Sequence, residues 1–362
     1  MGWMAGPSPS RTAPDPPQPL GVGSVPVGTI TLELTHRCHR RCDFCYVPDL
    51  ERPDGPGEAE LPAADMVALT SELMGATGCQ DVQLSSGEPL LRDDLLPIIE
   101  GLTGGGATVS IITDGAQLDA PLARELAARG VRKVQPTLLS GDARIHDSLR
   151  GRGAFGAATG AIAAGAAAGL EMIVCMVITR RNWEEAGRVA ELAFALGARG
   201  LALSRFCPAG AAVRAHAALM PTAEQVREAA TVATRACRAL SLPVATAVTI
   251  PPCVWERPDL PPLRVGRCSL VGPRCTVTVG PDGGVRSCSL STTEVGKLGD
   301  EPWEVLAQRL WDRYLEPARI TRPHACRSCH LWKQCYGGCR LSGLTVHGGF
   351  DQPDPLAPIR RG

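Results

Sequence analysis

From Ile30 onward the chain alternates between short apolar runs and longer stretches whose apolar residues recur every three or four positions. The short runs predict strands at Ile30 to Leu34, Val82 to Leu84, Thr108 to Ile112, Lys133 to Leu138, Met172 to Ile178 and Gly200 to Leu203. The longer ones predict helices at Ala63 to Met74, Asp94 to Leu102, Pro121 to Ala128, Phe155 to Ala168, Trp183 to Leu196 and Thr222 to Leu240. This alternation predicts an α/β fold on a parallel sheet with right-handed crossovers. An open doubly wound sheet and a barrel or part-barrel both satisfy it. Both also gather chemistry at the carboxyl ends of the strands.

The pattern changes after Pro243. Proline-rich links (Pro251-Pro252, Pro258, Pro261-Pro262) lead into a hairpin signal from Cys275 to Cys288, where Pro281-Asp282-Gly283-Gly284 interrupts alternating residues, and then into a helix from Trp303 to Tyr314. These shifts divide the chain into a disordered Pro/Gly-rich tail (1–27), a main α/β unit (28–242), a linker (243–267), a small α+β, cysteine-rich domain (268–345) and a flexible tail (346–362). Val47 to Gly57 forms another Pro/Gly-rich segment.

Composition narrows the function. Lys+Arg and Asp+Glu both number 37, so no net charge draws the chain to nucleic acid or an anionic membrane. No stretch approaches the ~20 continuous apolar residues of a membrane span, and the N-terminus has no signal-peptide pattern. Fifteen clustered cysteines in a chain of this length point to metal or cluster ligation in a reducing compartment, hence a cytoplasmic protein, rather than to a disulfide scaffold.

The candidate chemistry falls where strands end. Cys38, Cys42 and Cys45 form a C-x3-C-x2-C loop after the first strand; Ser85-Ser86-Gly87-Glu88-Pro89 follows the second, Thr113-Asp114-Gly115 the third, and Arg205-Phe206-Cys207-Pro208 the sixth. Three thiolates on one loop can converge on a soft metal centre and leave one site open. A structural zinc site completed by His36 or His39 is the alternative, although such sites favour paired C-x2-C knuckles.

The C-x3-C-x2-C loop with Phe44 before its last cysteine, Gly-Glu-Pro after the second strand, Thr-x-Gly after the third and the six βα units together resemble the radical S-adenosylmethionine (SAM) enzymes. The resemblance covers roughly 28–240 and implies a partial (β/α)6 TIM-like barrel. It implies a [4Fe-4S] cluster on Cys38, Cys42 and Cys45 whose fourth iron binds SAM, and reductive cleavage of SAM to a 5′-deoxyadenosyl radical that abstracts hydrogen from a substrate. It places Ser86, Gly87 and Glu88 on the family's Gly-Gly-Glu, at the SAM amino group, and Thr137 on a serine that binds SAM. His146-Asp147-x-Leu149-Arg150-Gly151 matches a further family stretch and brings Arg150 to the cofactor. Where relatives read Ser-Leu-Asp-Gly, this chain has Thr137-Leu138-Leu139-Ser140 and lacks the acid.

A second cysteine territory comprises Cys268, Gly283-x4-Cys288 and Cys326-x2-Cys329-x5-Cys335-x3-Cys339. On spacing alone it fits clusters or a zinc ribbon. After a radical SAM core it resembles the SPASM domain, which implies a first auxiliary cluster on Cys268, Cys275, Cys288 and Cys339 and a second on Cys326, Cys329 and Cys335. The family's final cysteine is missing after Cys339, leaving His347 or Asp351, or an open iron, for the fourth position. Cys79, Cys175 and Cys237 read as core residues. Cys207 is a candidate hydrogen-atom donor, Cys253 a reserve cluster ligand, and Arg205 a surface ion-pair former or substrate contact.

The expected function is a radical SAM oxidoreductase or maturase acting on a peptide by crosslinking, oxidation or epimerisation. Its alternative is a dehydrogenase or epimerase of a small natural-product scaffold such as an aminocyclitol; outside enzymes, it is a non-catalytic zinc-binding interaction protein. A flavodoxin or ferredoxin-type electron donor is an expected partner. With no room before Gly28 for a folded recognition domain, a separate leader-peptide recognition protein is another.

Overall fold

The computed structural model describes residues 25–47, 60–255 and 261–357. Most of the expected N-terminal tail (1–24), most of the Pro/Gly-rich segment (48–57) and Pro258 lie outside the described residues, as do 358–362.

The expected strands form as β1 (Val27–Thr35), β2 (Asp81–Ser86), β3 (Thr108–Thr113), β4 (Lys133–Pro136), β5 (Glu171–Ile178) and β6 (Gly200–Arg205). Between them run α1 (Ala63–Thr77), α2 (Leu95–Gly104), α3 (Ala120–Ala128), α4 (Ala143–Arg150), α5 (Ala154–Ala167) and α6 (Ala186–Ala195), and the helix Ala223–Ala239 follows β6. Helix α4, outside the expected set, is nucleated locally. The Asp142 carboxylate accepts the Arg144 N–H at 2.7 Å, and Ser140 Oγ accepts the Asp142 N–H at 2.8 Å.

The sheet is wider than the six expected strands. Among the described residues it has nine, with β7 (Val244–Thr246), β8 (Cys275–Val279) and β9 (Val285–Arg286), in the order β7-β6-β5-β4-β3-β2-β1-β8-β9. Strand β7 (Val244–Thr246) adds in parallel to β6, so the sheet continues past the boundary placed at Leu242. Strand β8 (Cys275–Val279) adds in parallel to β1, and β9 (Val285–Arg286) turns back antiparallel to it. The hairpin signal is therefore correct, while its partner is the barrel sheet itself. The pairing begins inside the expected tail, where the Cys275 N–H donates to Pro26 O at 2.6 Å.

Alternation along the strands makes the lumen. In β1, Ile30, Leu32 and Leu34 are fully buried against the helical layer, while Thr29 and Thr31 line a central cavity. Strand β3 repeats the pattern, with Val109 and Ile111 fully buried and Thr108, Ser110 and Ile112 facing the cavity. Parallel strands covered on both faces by apolar packing read as continuous hydrophobic runs. The polar inner positions here belong to a curved sheet around a space of about 740 Å³.

Segment 346–357, expected as part of a flexible tail, is packed: Asp354 and Leu356 are buried. Asp354 pairs with Arg205, which is consequently a buried residue rather than a surface ion-pair former.

Candidate active site

The cysteine loop begins where β1 ends at Thr35 and is held from three sides. The Gly87 N–H donates to Thr35 O at 3.0 Å and the Glu88 N–H to Arg37 O at 2.9 Å, which stitches the turn after β2 to the loop. A Cβ at position 87 would collide with the Arg37 and His36 carbonyl oxygens, so only glycine permits this approach. From β3, Asp114 receives Arg40 Nε at 3.1 Å and lies 2.7 Å from His39 Nε2. Burial opposes ionisation of Asp114. The His39 hydrogen bond and the nearby Arg150 charge outweigh it and hold the carboxyl well below the usual carboxylate range. On the far side, the Ala212 N–H donates to Cys45 O at 2.8 Å, and Tyr46 shares a 2.9 Å hydrogen bond with Ser85.

Cys38, Cys42 and Cys45 all line the central cavity. Burial pushes the Cys38 thiol up to about 12 and the Cys45 thiol up to about 11, and the Arg40 N–H, 3.3 Å from Cys38 Sγ, partly offsets the first shift. Thiols this reluctant to ionise need a cation's field to become ligands. Arg150, beside Cys42 and Cys45, favours their charged form and stacks 5.9 Å from the Phe44 ring centroid.

Ser86, Gly87, Thr137 and Arg150 line the same cavity. Ser86 has φ +108°, an unusual backbone for a residue with a Cβ, and its buried Oγ has no hydrogen-bond partner among the described residues. An orphaned hydroxyl beside a glycine cradle, an arginine and three thiols fits a zwitterionic cofactor bound next to a cluster. Glu88 does not join this set. Its carboxylate is fully buried within the wall, accepting hydrogen bonds from Leu90 N at 3.1 Å, Thr113 Oγ1 at 2.8 Å and Asp114 N at 2.7 Å. Burial and the Asp114 charge push it up to about 8. Glu88 ties together the turns after β2 and β3.

At the opposite wall, Cys207, Cys268, Cys288 and Cys339 line the cavity together. The Cys339 thiol is within hydrogen-bonding reach of both Cys207 and Cys268, and Cys288 is near enough to feel its charge. Cys275, expected in this set, faces elsewhere. It precedes Thr276 in β8, and neighbouring strand residues point to opposite faces. Thr276 lines the cavity, whereas Cys275 meets Arg319 on the other side. Cys207, read as a candidate hydrogen-atom donor, lies beside Cys339 in this group. Its thiol is buried within hydrogen-bonding reach of Cys339 and Ser342.

Cys326, Cys329 and Cys335 line a separate small pocket with Cys253. The expected substitutes, His347 and Asp351, are exposed and line neither space. Among the described residues no three His, Cys, Asp or Glu side chains crowd tightly enough to hold a lone ion. The thiols ring cavities instead. A zinc ion gathers sulfurs about 2.3 Å from one point, whereas a cluster spreads them over separate irons.

Sequence reasoning missed Asp114 as the clamp of the cysteine loop, although it sits within the singled-out Thr113-Asp114-Gly115. Cys175, read as a core residue, is buried as expected and also lines the cavity from β5. Its alternation with the fully buried Val174 and Met176 was the available signal.

The model of the radical SAM superfamily matches residues 32–193. Across nearly the whole length the chain is similar to curated proteins named PqqA peptide cyclase. That of Streptomyces rochei is 32% identical, covering 92% of this chain and 91% of the relative; that of Methylocella silvestris is 32% identical, covering 92% and 88%. Among solved structures, Streptococcus suis SuiB bound to S-adenosylmethionine superposes with TM-score 0.72 at 15% identity, covering 93% of this chain and 78% of the other. Native anSMEcpe with bound AdoMet gives 0.68 at 14%, covering 91% and 93%. At these identities the structural likeness is one of fold, the partial barrel expected from the sequence.

Proposed function

The chain belongs to the radical SAM superfamily as a SPASM-type enzyme, and from that premise we propose that it crosslinks a peptide by radical chemistry. Membership makes it an enzyme rather than a zinc-binding interaction protein. The supporting observation is that one cavity of about 740 Å³ is lined by both cysteine territories, Cys38, Cys42 and Cys45 at one wall and Cys268, Cys288 and Cys339 at another. The relatives' name supplies the substrate class, and a structure of SuiB bound to its precursor peptide SuiA shares the fold.

In this reading Cys38, Cys42 and Cys45 hold a [4Fe-4S] cluster, and Ser86, Gly87, Thr137 and Arg150 seat SAM beside it. Cys207, Cys268, Cys288 and Cys339 hold an auxiliary cluster. Bound together, these groups supply hydrogen-atom abstraction from the peptide and an acceptor for the second electron that crosslinking releases. The protein's own residues set the geometry. Asp114 fixes the cysteine loop through His39 and Arg40, and Glu88 ties two strand ends together. Arg150 places a positive charge beside Cys42 and Cys45. A flavodoxin or ferredoxin-type protein supplies the electron, and a separate recognition protein delivers the peptide.

The test uses full-length protein reconstituted anaerobically with iron and sulfide and reduced with dithionite. It cleaves SAM to 5′-deoxyadenosine, and Cys38→Ala abolishes the product. A short peptide encoded beside the gene becomes lighter by two hydrogens. An unchanged peptide alongside SAM cleavage overturns the crosslinking assignment.

A further inference from the structure

We propose that Cys253 is the fourth protein ligand of a second auxiliary cluster held by Cys326, Cys329 and Cys335. A residue upstream of the cysteine-rich segment thereby completes the site. The inference rests on the reading of the C-terminal cysteines as cluster ligands, and it assigns the ligand which that reading lacked.

Three ligands come from one tightly wound stretch. The Cys329 N–H donates to Cys326 O at 3.1 Å, the Trp332 N–H to Cys329 O at 3.2 Å and the Cys335 N–H to Leu331 O at 3.0 Å, so successive turns present the thiols to one pocket. Tyr336, Gly337 and Gly338, all at positive φ (51°, 88° and 81°), then reverse the chain toward Cys339 and the other cavity. Arg322 braces the loop from outside, donating to Cys326 O at 2.8 Å and Cys329 O at 3.1 Å.

Cys253 faces this stretch from the short helix Pro252–Trp255. The helix is anchored by Arg227 Nε, which donates to Val254 O at 2.9 Å. Pro251 presses on Gly338 so closely that a Cβ there would meet its ring at 2.9 Å. The two segments are therefore in contact across the pocket. Its lining consists of the four cysteines with Pro251, Leu331, Trp332, Gly337 and Ala357. Among the described residues it contains no carboxylate and no imidazole, and its donors are four soft sulfurs, suited to iron–sulfur ligation rather than to a hard ion. Among the described residues the tail reaches the pocket through Ala357, which cannot ligate. Each thiol that binds iron gives up its proton.

The experiment compares wild type, Cys253→Ala, Cys326→Ala and Cys253→Ala/Ala357→Cys after anaerobic reconstitution of the full chain. Iron and sulfide content and EPR are the readouts, with circular dichroism confirming folding. Cys326→Ala is expected to lose about four irons. Cys253→Ala is expected to lose iron from the same cluster and to show a [3Fe-4S] signal when oxidised. Ala357→Cys is expected to restore the wild-type spectrum by supplying the thiolate from the tail side. If Cys253→Ala matches wild type in iron, sulfide and EPR while Cys326→Ala loses its cluster, the Cys253 assignment is overturned. If Cys326→Ala also matches wild type, the second cluster itself is overturned.

Discussion

Arg205, at the carboxyl end of β6, and Asp354, close to the end of the described chain, form an ion pair in which neither side chain has any exposure. Arg205 Nε also donates to Thr249 O at 3.2 Å, and the same Asp354 oxygen accepts the Cys339 N–H at 2.7 Å. One carboxylate thus joins the tail, the barrel and the backbone of a proposed cluster ligand. Removing one partner of such a pair strands a buried charge, at about 3–5 kcal/mol. Asp354→Asn is expected to destabilise by that order in denaturant unfolding. Arg205→Met/Asp354→Leu should recover most of the loss. A shift under about 1 kcal/mol in the single variant would show that water reaches the pair.

Ser86 and Gly87 make opposite predictions. Ser86→Gly relieves a positive φ and should raise stability by about 1 kcal/mol, while loss of its unpartnered hydroxyl weakens SAM binding. Gly87→Ala places a methyl group against the Arg37 and His36 carbonyls. It should weaken SAM binding to the reconstituted protein by about tenfold or more, equivalent to about 1.4 kcal/mol. Calorimetric titration with SAM tests both, and unaltered affinity in Gly87→Ala would remove this turn from the cofactor seat.

Asp114→Asn removes the charge that holds His39 and Arg40 across the cysteine loop. The expected result is a drop of about tenfold or more in 5′-deoxyadenosine formation, about 1.4 kcal/mol on the barrier, with lower iron retention. Normal rates with normal iron would mean that the loop is fixed without Asp114.

His146 gives stability a pH dependence. It is fully buried, with Nδ1 accepting the Leu139 N–H at 3.2 Å, and burial together with the Arg150 charge lowers it to about 4. Between pH 6.5 and 4 the unfolded chain takes up a proton that the native histidine refuses. Stability therefore falls as pH drops through this window, by up to about 1.4 kcal/mol per unit, and levels off below it. His146→Gln keeps an acceptor without the titration and should flatten the slope. Identical slopes would place the effect on another group.

Local order along the chain determined a good deal. Short apolar runs between stretches of helical period marked β1 to β6, because such local patterns are readable within a few residues. The loop of Cys38, Cys42 and Cys45 was legible for the same reason, as were the hairpin turn at Asp282-Gly283 and the run from Cys326 to Cys335. Tertiary structure decided how these pieces combine. Cys275 faces away from the cavity that Cys207 lines, because a single step of strand alternation turns the one aside and β6 delivers the other from 61 positions before Cys268. Cys253 and Cys326 line one pocket across 73 positions of chain. Arg205 finds Asp354 across 149 positions. Glu88 carries a family motif yet spends its carboxylate on Thr113 and Asp114, a choice made by the spacing of adjacent strands. The sequence by itself determined which chemistry the cysteines could support; which of them share a site was decided by long-range packing, whose contacts leave no periodic trace in the chain.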